Sequence, residues 1–284
     1  MVKTKFLFFC CLILSLISFA EEKENPSLKI LVYNTHGLPE IFIDDNPKFR
    51  FPIIGKKTQS YDISLLQEDY AHHTELQAGL SNDSLALRGV LGNTFSCPFC
   101  TGSGLTSVFN LPDDWKVEAK NEAYKTCSGW LRGANDCFAY KGFQVIKISL
   151  PEYEEIYLVN THMDAGRRDS DRASRAIQLK HIISSIEKLE GKPLIVAGDL
   201  NLKSTDRKDM ALLESFKETL NLYDAFSETE INKKWSILDY ILYRPGESIK
   251  FKILNIGEDE SFETHEGALS DHPALFIEFE IIKN

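Results

Sequence analysis

The stretch Leu194 to Asn201, Leu-Ile-Val-Ala-Gly-Asp-Leu-Asn, constrains the fold more than any other part of the chain. Four apolar residues in a row follow Gly191-Lys192-Pro193, a combination that ends any preceding helix. Such a run predicts a short strand buried on both faces, as in a sheet covered on each side. It leads straight into Gly198-Asp199-Leu200-Asn201. In open α/β sheets, ligands gather beyond the carboxyl ends of strands of this kind. A carboxylate and a carboxamide two residues apart, behind a glycine, can point into one cleft. The same residues also suit a turn in which Asp and Asn cap the backbone. The rest of the chain decides between the two.

Other strands end in a similar way. Leu28 to Tyr33 alternates and runs into Asn34-Thr35-His36-Gly37-Leu38-Pro39. A helix is expected around Ile53 to Ser60, then a strand Ile63 to Gln67 that ends at Glu68-Asp69. An acidic pair directly after a buried strand is costly unless it is solvated, paired or bound to a cation, so Glu68 is a metal candidate. His72 and His73 follow and are expected to be solvated. Strands are expected over Leu105 to Phe109, Trp115 to Ala119, Phe143 to Leu150 and Ile156 to Asn160, the last leading into Thr161-His162. Apolar residues from Ala173 to Leu189 recur at helical spacing, giving an amphipathic helix from about Asp171 to Leu189. Arg167, Arg168, Arg172 and Arg175 lie at its start, either as a solvated face or as a local phosphate track. A second helix is expected from Asp206 to Leu220. Ile237 to Leu242 places Asp239 inside an otherwise apolar strand, where a carboxylate needs a specific partner. Ser270-Asp271-His272-Pro273 precedes a last strand, Ala274 to Ile281.

The first 20 of 284 residues have the pattern of an export signal: Lys3 and Lys5, an apolar middle from Phe6 to Ile17, and Ser18-Phe19-Ala20 before Glu21. No other long uncharged stretch follows, so a secreted or periplasmic protein without a transmembrane segment is expected after cleavage. Residues 21–27 form a polar lead-in, and residues 28–284 form one large domain, expected to be monomeric. Without the first 20 residues the chain has 30 basic and 42 acidic residues, a net charge of −12. That balance disfavours a general nucleic-acid binder but not an enzyme whose divalent ion supplies positive charge. Cys97, Cys100, Cys127 and Cys137 remain after cleavage, and in an exported chain they favour disulfides over zinc. Three pairings are open.

Taken together, Asn34, Glu68, His162, Asp199, Asn201, Asp239, Asp271 and His272 all stand at or beside strands of one α/β domain. Oxygen ligands for a hard cation, carboxylate-backed imidazoles and a second polar cluster suit metal-assisted cleavage of a phosphate ester by water. At this point the chain resembles the endonuclease/exonuclease/phosphatase superfamily related to pancreatic deoxyribonuclease. The residues that carry the resemblance are Tyr33-Asn34, Leu66-Gln67-Glu68, Asn160-Thr161-His162, Gly198-Asp199-Leu200-Asn201, Leu238-Asp239-Tyr240 and Ser270-Asp271-His272, in the family's order.

The resemblance implies a four-layer α/β/β/α sandwich, with two mixed β-sheets packed face to face and the site in a cleft at one end. It implies Glu68 as the chief ligand of Mg²⁺, or of Mn²⁺ or another divalent cation in its place, helped by Asn34 and Asp271. Asp199 would bind or deprotonate the attacking water, with Asn201 steadying it. His272, held by Asp239, would anchor the phosphate or donate a proton, and His162 would hydrogen-bond a phosphoryl oxygen. Asn34 with Leu38-Pro39, Asp136 to Phe143, and Asn160-Thr161-His162 followed by Arg175 to Gln178 are similar to the sphingomyelinase-like branch. The segment between Tyr243 and Ser270 lacks the exposed paired-aromatic hairpin of secreted bacterial sphingomyelinases. The expected function is a secreted Mg²⁺-dependent phosphodiesterase acting on a phospholipid headgroup at a membrane surface, where the tip Trp130-Leu131-Arg132 either inserts shallowly or has Trp130 and Leu131 tucked back as a small core under a disulfide. The alternatives are a secreted nuclease acting on nucleic acid, an inositol-phosphate phosphatase, and a binding protein or toxin subunit that kept only the fold.

Overall fold

Along β1 (Ser27–Asn34) successive side chains enter two different cores. Leu28, Ile30 and Val32 join one apolar cluster, and Leu31 and Tyr33 join another. The period of two along a strand, with both faces apolar, forces a covered sheet. The computed structural model describes residues 25–40, 45–92, 102–129, 136–227 and 238–284. The expected export signal, Cys97, Cys100, the Trp130-Leu131-Arg132 tip and Ile237 lie outside the described residues.

The first sheet is built from β1, β2 (Ile63–Gln67), β3 (Leu85–Arg88), β4 (Thr106–Phe109), β11 (Ile249–Glu258) and β14 (Leu275–Lys283), in the order β11-β14-β1-β2-β4-β3. The second is built from β5 (Lys116–Ala123), β6 (Gly142–Ser149), β7 (Ile156–His162), β8 (Leu194–Asp199), β9 (Tyr223–Asp224) and β10 (Asp239–Arg244), in the order β5-β6-β7-β8-β10-β9. Both are mixed, because β1 runs parallel to β2 and β7 parallel to β8 among antiparallel neighbours. Ile195 and Ala197 of β8 share a core with β1 between the sheets, while Leu194 and Val196 face the helices α3 (Asp169–Ile186) and α4 (Arg207–Leu220). On the far side, α1 (Pro47–Lys57) and α2 (His73–Gly79) cover the first sheet through Phe51, Ile54 and Leu76. The result is the expected four-layer α/β/β/α sandwich.

Several local expectations need correction. The first helix begins at Pro47, not near Ile53, and Pro52 sits inside it. Proline at the first helical turn costs no hydrogen bond. The segment is then held by buried Arg50, which donates to the carbonyls of Thr35, His36 and Leu269 and to Asp45. His72 and His73 are not solvated, being 5% and 8% exposed. Asp239 does not sit inside its strand but opens β10, directly opposite Asp199 on β8. Arg172 and Arg175 are neither a solvated face nor a phosphate track. Arg175 is fully buried against Asp209 and the carbonyls of Asp164 and Gly166, and Arg172 is spent on Asp169, Asp206 and Asp209. Cys127 is bonded to Cys137. Between Tyr243 and Ser270 the chain does form a small hairpin, β12 (Glu263–Thr264) with β13 (Gly267–Ala268), but its exposed tip carries His265 and Glu266. No described helix is long and apolar enough to cross a membrane.

Gly198 shows how the turn after β8 is made. Its φ of +132° is a conformation that L side chains rarely adopt, and an added Cβ would collide with the Thr161 carbonyl of the parallel neighbour β7. Gly198→Ala should therefore lower stability by more than ~1 kcal/mol, read as a reduced urea midpoint.

Candidate active site

The ends of β1, β2, β7, β8 and β10 converge, and each delivers one polar side chain. A buried polar lattice sets their spacing across the two sheets. Gln67, next to Glu68, donates to Asn160 Oδ1 at 2.8 Å, and Asn160 in turn donates to Ser107 and Gln144 at 3.2 Å each. Buried amides remain only where such bonds are made, so this lattice aligns the end of β2 with the end of β7.

Asn34 is the hub on the first sheet. Its Nδ2 donates to Glu68 Oε1 at 3.0 Å and to Asp199 Oδ2 at 3.1 Å, and its Oδ1 accepts from the His36 backbone at 3.0 Å. Asp199 Oδ1 accepts from the Asn201 backbone N–H at 2.8 Å, while the Asn201 side chain donates to the Met163 carbonyl at 3.1 Å. Glu68, His162 and Asp199 form one close group of potential ligands, and Asp199, Asp239 and His272 form a second that shares Asp199. His162 Nε2 lies 3.6 Å from Glu68 Oε1 and 3.5 Å from Asp199 Oδ2. His272 Nδ1 meets Asp239 Oδ2 at 2.7 Å, and its Nε2 lies 3.9 Å from Asp199 Oδ2.

Seven of the eight residues singled out in the sequence are thus brought together. Asp271 stands apart. Its carboxylate is 61% exposed, 3.7 Å from His36 Nδ1, and belongs to neither group.

The residues fit a divalent cation. Two carboxylates, Glu68 and Asp199, and the Asn34 amide that bridges them converge on one point, a donor set rich in hard oxygen ligands. Glu68 is held at φ +60°, a left-handed strain that places its carboxylate in the cleft.

The electrostatics separate the titrating groups. Burial, and then the charge of Asp239, push the Asp199 carboxyl up to about 7. Burial alone would lower His272, but the charge and hydrogen bond of Asp239, with Asp199, outweigh it and raise the imidazole to about 10. Burial, then the positive charges of Lys141 and His272, hold His162 well below the ordinary histidine value.

Lys141 is the functional candidate that residue-level reading of the sequence passed over. Its buried Nζ donates to His162 Nε2 and to the Met163 carbonyl, each at 2.9 Å, and pairs with Asp136 Oδ1 at 2.6 Å. The nitrogen of His162 that faces the cleft therefore already accepts from an ammonium. Lysine at the entrance to β6 was the available signal, since a lysine just before an apolar strand needs an anion when buried. Lys141→Met should strand the buried Asp136 charge and cost about 3–5 kcal/mol. The double variant Asp136→Asn with Lys141→Met should recover much of that stability but not the turnover, which separates the amine's role at His162 from its structural pairing.

Beside His272 opens a cavity of about 650 Å³ whose lining includes Glu258, Glu260, Glu263, Asp271, Tyr33 and Phe262. Among the described residues no lysine or arginine lines it.

No protein-family model matches the chain. It is similar to the sphingomyelinase of Mycobacterium bovis, 24% identical over 272 residues that cover 89% of this chain and 52% of the relative. The chain thus spans about half the length of the curated relatives it matches. Among solved structures it superposes on sphingomyelinase C from Streptomyces griseocarneus with a TM-score of 0.65 at 18% identity, over 89% of this chain and 99% of that one. A Staphylococcus aureus beta-toxin variant with bound magnesium ions gives a TM-score of 0.63 at 16% identity, over 90% of this chain and 99% of that one. The fold is the one these sphingomyelinase and beta-toxin structures share. Its mixed double sheet explains why residues from five strand ends share one cleft.

Proposed function

We propose that this protein is an exported, Mg²⁺-dependent phosphodiesterase that hydrolyses a phospholipid headgroup ester, with sphingomyelin as first substrate. The observation that carries the reading is Asp199, whose Oδ2 stands between the Glu68–His162 group and the His272–Asp239 pair. One side of that carboxylate is built to hold a cation and the other to hold a protonated imidazole.

Glu68 and Asn34, with Asp199, would hold the ion. When bound, it supplies positive charge to the phosphoryl and leaving oxygens. Asp199 takes the proton of the attacking water, its Oδ2 facing the space between the Glu68–His162 group and His272. The Asn201 N–H holds Oδ1, so Oδ2, which also accepts from Asn34, is the oxygen turned to the cleft. His272, protonated across the neutral range, presents N–H to a phosphoryl oxygen and can release a proton to the leaving group. Asp239 fixes its ring and stabilises its charge. Burial, and then the charge of Lys141, keep His162 neutral, and Lys141 adds a fixed positive charge beside it.

The substrate class follows from charge. The acidic cavity beside His272 repels the neighbouring phosphates of a nucleic acid and suits a zwitterionic headgroup with a cationic end. Of the four arginines that would serve a polyphosphate, Arg172 and Arg175 are spent on Asp206 and Asp209, which leaves only Arg167 and Arg168 exposed. The mycobacterial sphingomyelinases and the magnesium-containing beta toxin support the same reading. The test is phosphocholine release from sphingomyelin liposomes, run beside plasmid nicking and inositol-phosphate hydrolysis by the same preparation. Mg²⁺-dependent phosphocholine release is the expected result. Plasmid nicking or inositol-phosphate turnover without it would overturn the lipid assignment.

A further inference from the structure

We infer that Asp69, His73 and Thr106 are positioning residues that hold the turn at Glu68 in its metal-binding shape. The inference rests on the metal reading above. Glu68 adopts φ +60° directly after β2, a conformation a glutamate keeps only where its surroundings impose it. On one side the turn is tied to the end of β1. The Thr35 backbone N–H donates to the Gln67 carbonyl at 2.9 Å, and the Gly37 N–H donates to the Glu68 carbonyl at 2.8 Å.

On the other side it is tied through Asp69, a wholly buried carboxylate that belongs to neither ligand group. The Asp69 N–H donates to the Gly104 carbonyl at 3.0 Å. Its Oδ2 accepts from the Thr106 hydroxyl at 2.5 Å and meets His73 Nδ1 at 2.5 Å. Thr106 opens β4, which pairs with β2 at Leu66. His73 opens α2, whose Gly79 approaches α1 so closely that an added Cβ would strike the Pro52 carbonyl. The Asp69 carboxylate thus joins the turn to a strand and to a helix that is itself wedged in place. Partners behind a ligand commonly set its orientation.

The test is Mg²⁺ and Mn²⁺ titration of the full chain without substrate, by calorimetry, with melting curves and turnover recorded for each variant. Thr106→Val keeps the side-chain shape and removes the donor, Thr106→Ser keeps the donor, and His73→Ala removes the other partner. Thr106→Val and His73→Ala should weaken cation binding about ten- to a hundredfold, with Thr106→Ser binding as the wild type does. Turnover at saturating Mg²⁺ should change less than the Mg²⁺ needed to reach half of it. Variants that melt lower yet bind as the wild type assign the cluster to stability alone and overturn the inference. If the wild type binds neither ion, or Glu68→Gln binds as tightly as the wild type, the metal reading itself falls and takes this inference with it.

Discussion

Asp199→Asn should lower turnover by about a hundred- to ten-thousandfold without unfolding the protein. The carboxamide has the same shape and can still accept the Asn201 N–H, but it cannot take a proton from water. Stability gives a second, opposite signature. The folded-state pKa of Asp199 is raised from 3.8 to about 7, first by burial and then by Asp239 across the strand pair. A raised pKa contributes stability that is fully present below 3.8 and lost as pH rises through about 7. Above pH 7 the folded wild type therefore carries the cost of an ionised, buried carboxylate beside a like charge. Asp199→Asn removes that cost, so relative to the wild type it should gain stability above pH 7 and show no such gain at pH 4. Urea unfolding at the two pH values checks the sign. A variant that is inactive because it is unfolded would be less stable than the wild type at both pH values.

The second large effect belongs to His272 and Asp239. His272→Ala should lower turnover about a hundred- to ten-thousandfold, and the double variant with Asp239→Asn should be little worse, because the two act as a unit. The pH profile is the more specific readout. Against the lowering effect of burial, the Asp239 charge and hydrogen bond hold the imidazole protonated up to about pH 10, so the alkaline limb of activity should lie there. Asp239→Asn removes the charge that raises the pKa, and the limb should move down by about 1–3 pH units. The linkage has the same sign. His272 is raised from 6.5 to about 10, so the pair's contribution to stability is complete below 6.5 and lost as pH rises through about 10. Asp239→Asn should therefore be destabilising at pH 6 and close to the wild type above pH 10. Strictly additive losses of turnover and an unmoved alkaline limb would make Asp239 a structural residue only.

What could be read from the sequence divides along physical lines. Leu194 to Ala197 announced a doubly covered sheet because four apolar residues leave no face for water. Asp239 announced a partner because a buried carboxylate needs one, and His272 is that partner. Strand ends were legible for the same local reason, and they bring seven of the eight candidate residues together. The failures involve partners distant in sequence. Arg175 looked free at the start of a helix, since Asp209, which binds it, lies 34 residues away. His73 looked like a loop residue because Thr106, which closes its environment, arrives only with β4. The early start of α1 depends on Arg50 reaching the carbonyls of Thr35 and Leu269, a contact no local propensity encodes. The polar hairpin at Glu263 to Ala268 is too short to leave a periodic signal.

The most direct measurement of the central claim is hydrolysis of sphingomyelin vesicles in water enriched in heavy oxygen, with Mg²⁺ or with EDTA, by the wild type and by Asp199→Asn. Water attack on phosphorus from a cation-bearing site predicts Mg²⁺-dependent phosphocholine that carries the label, with Asp199→Asn nearly silent. Label in the released alcohol, or an equal rate in EDTA, would contradict it.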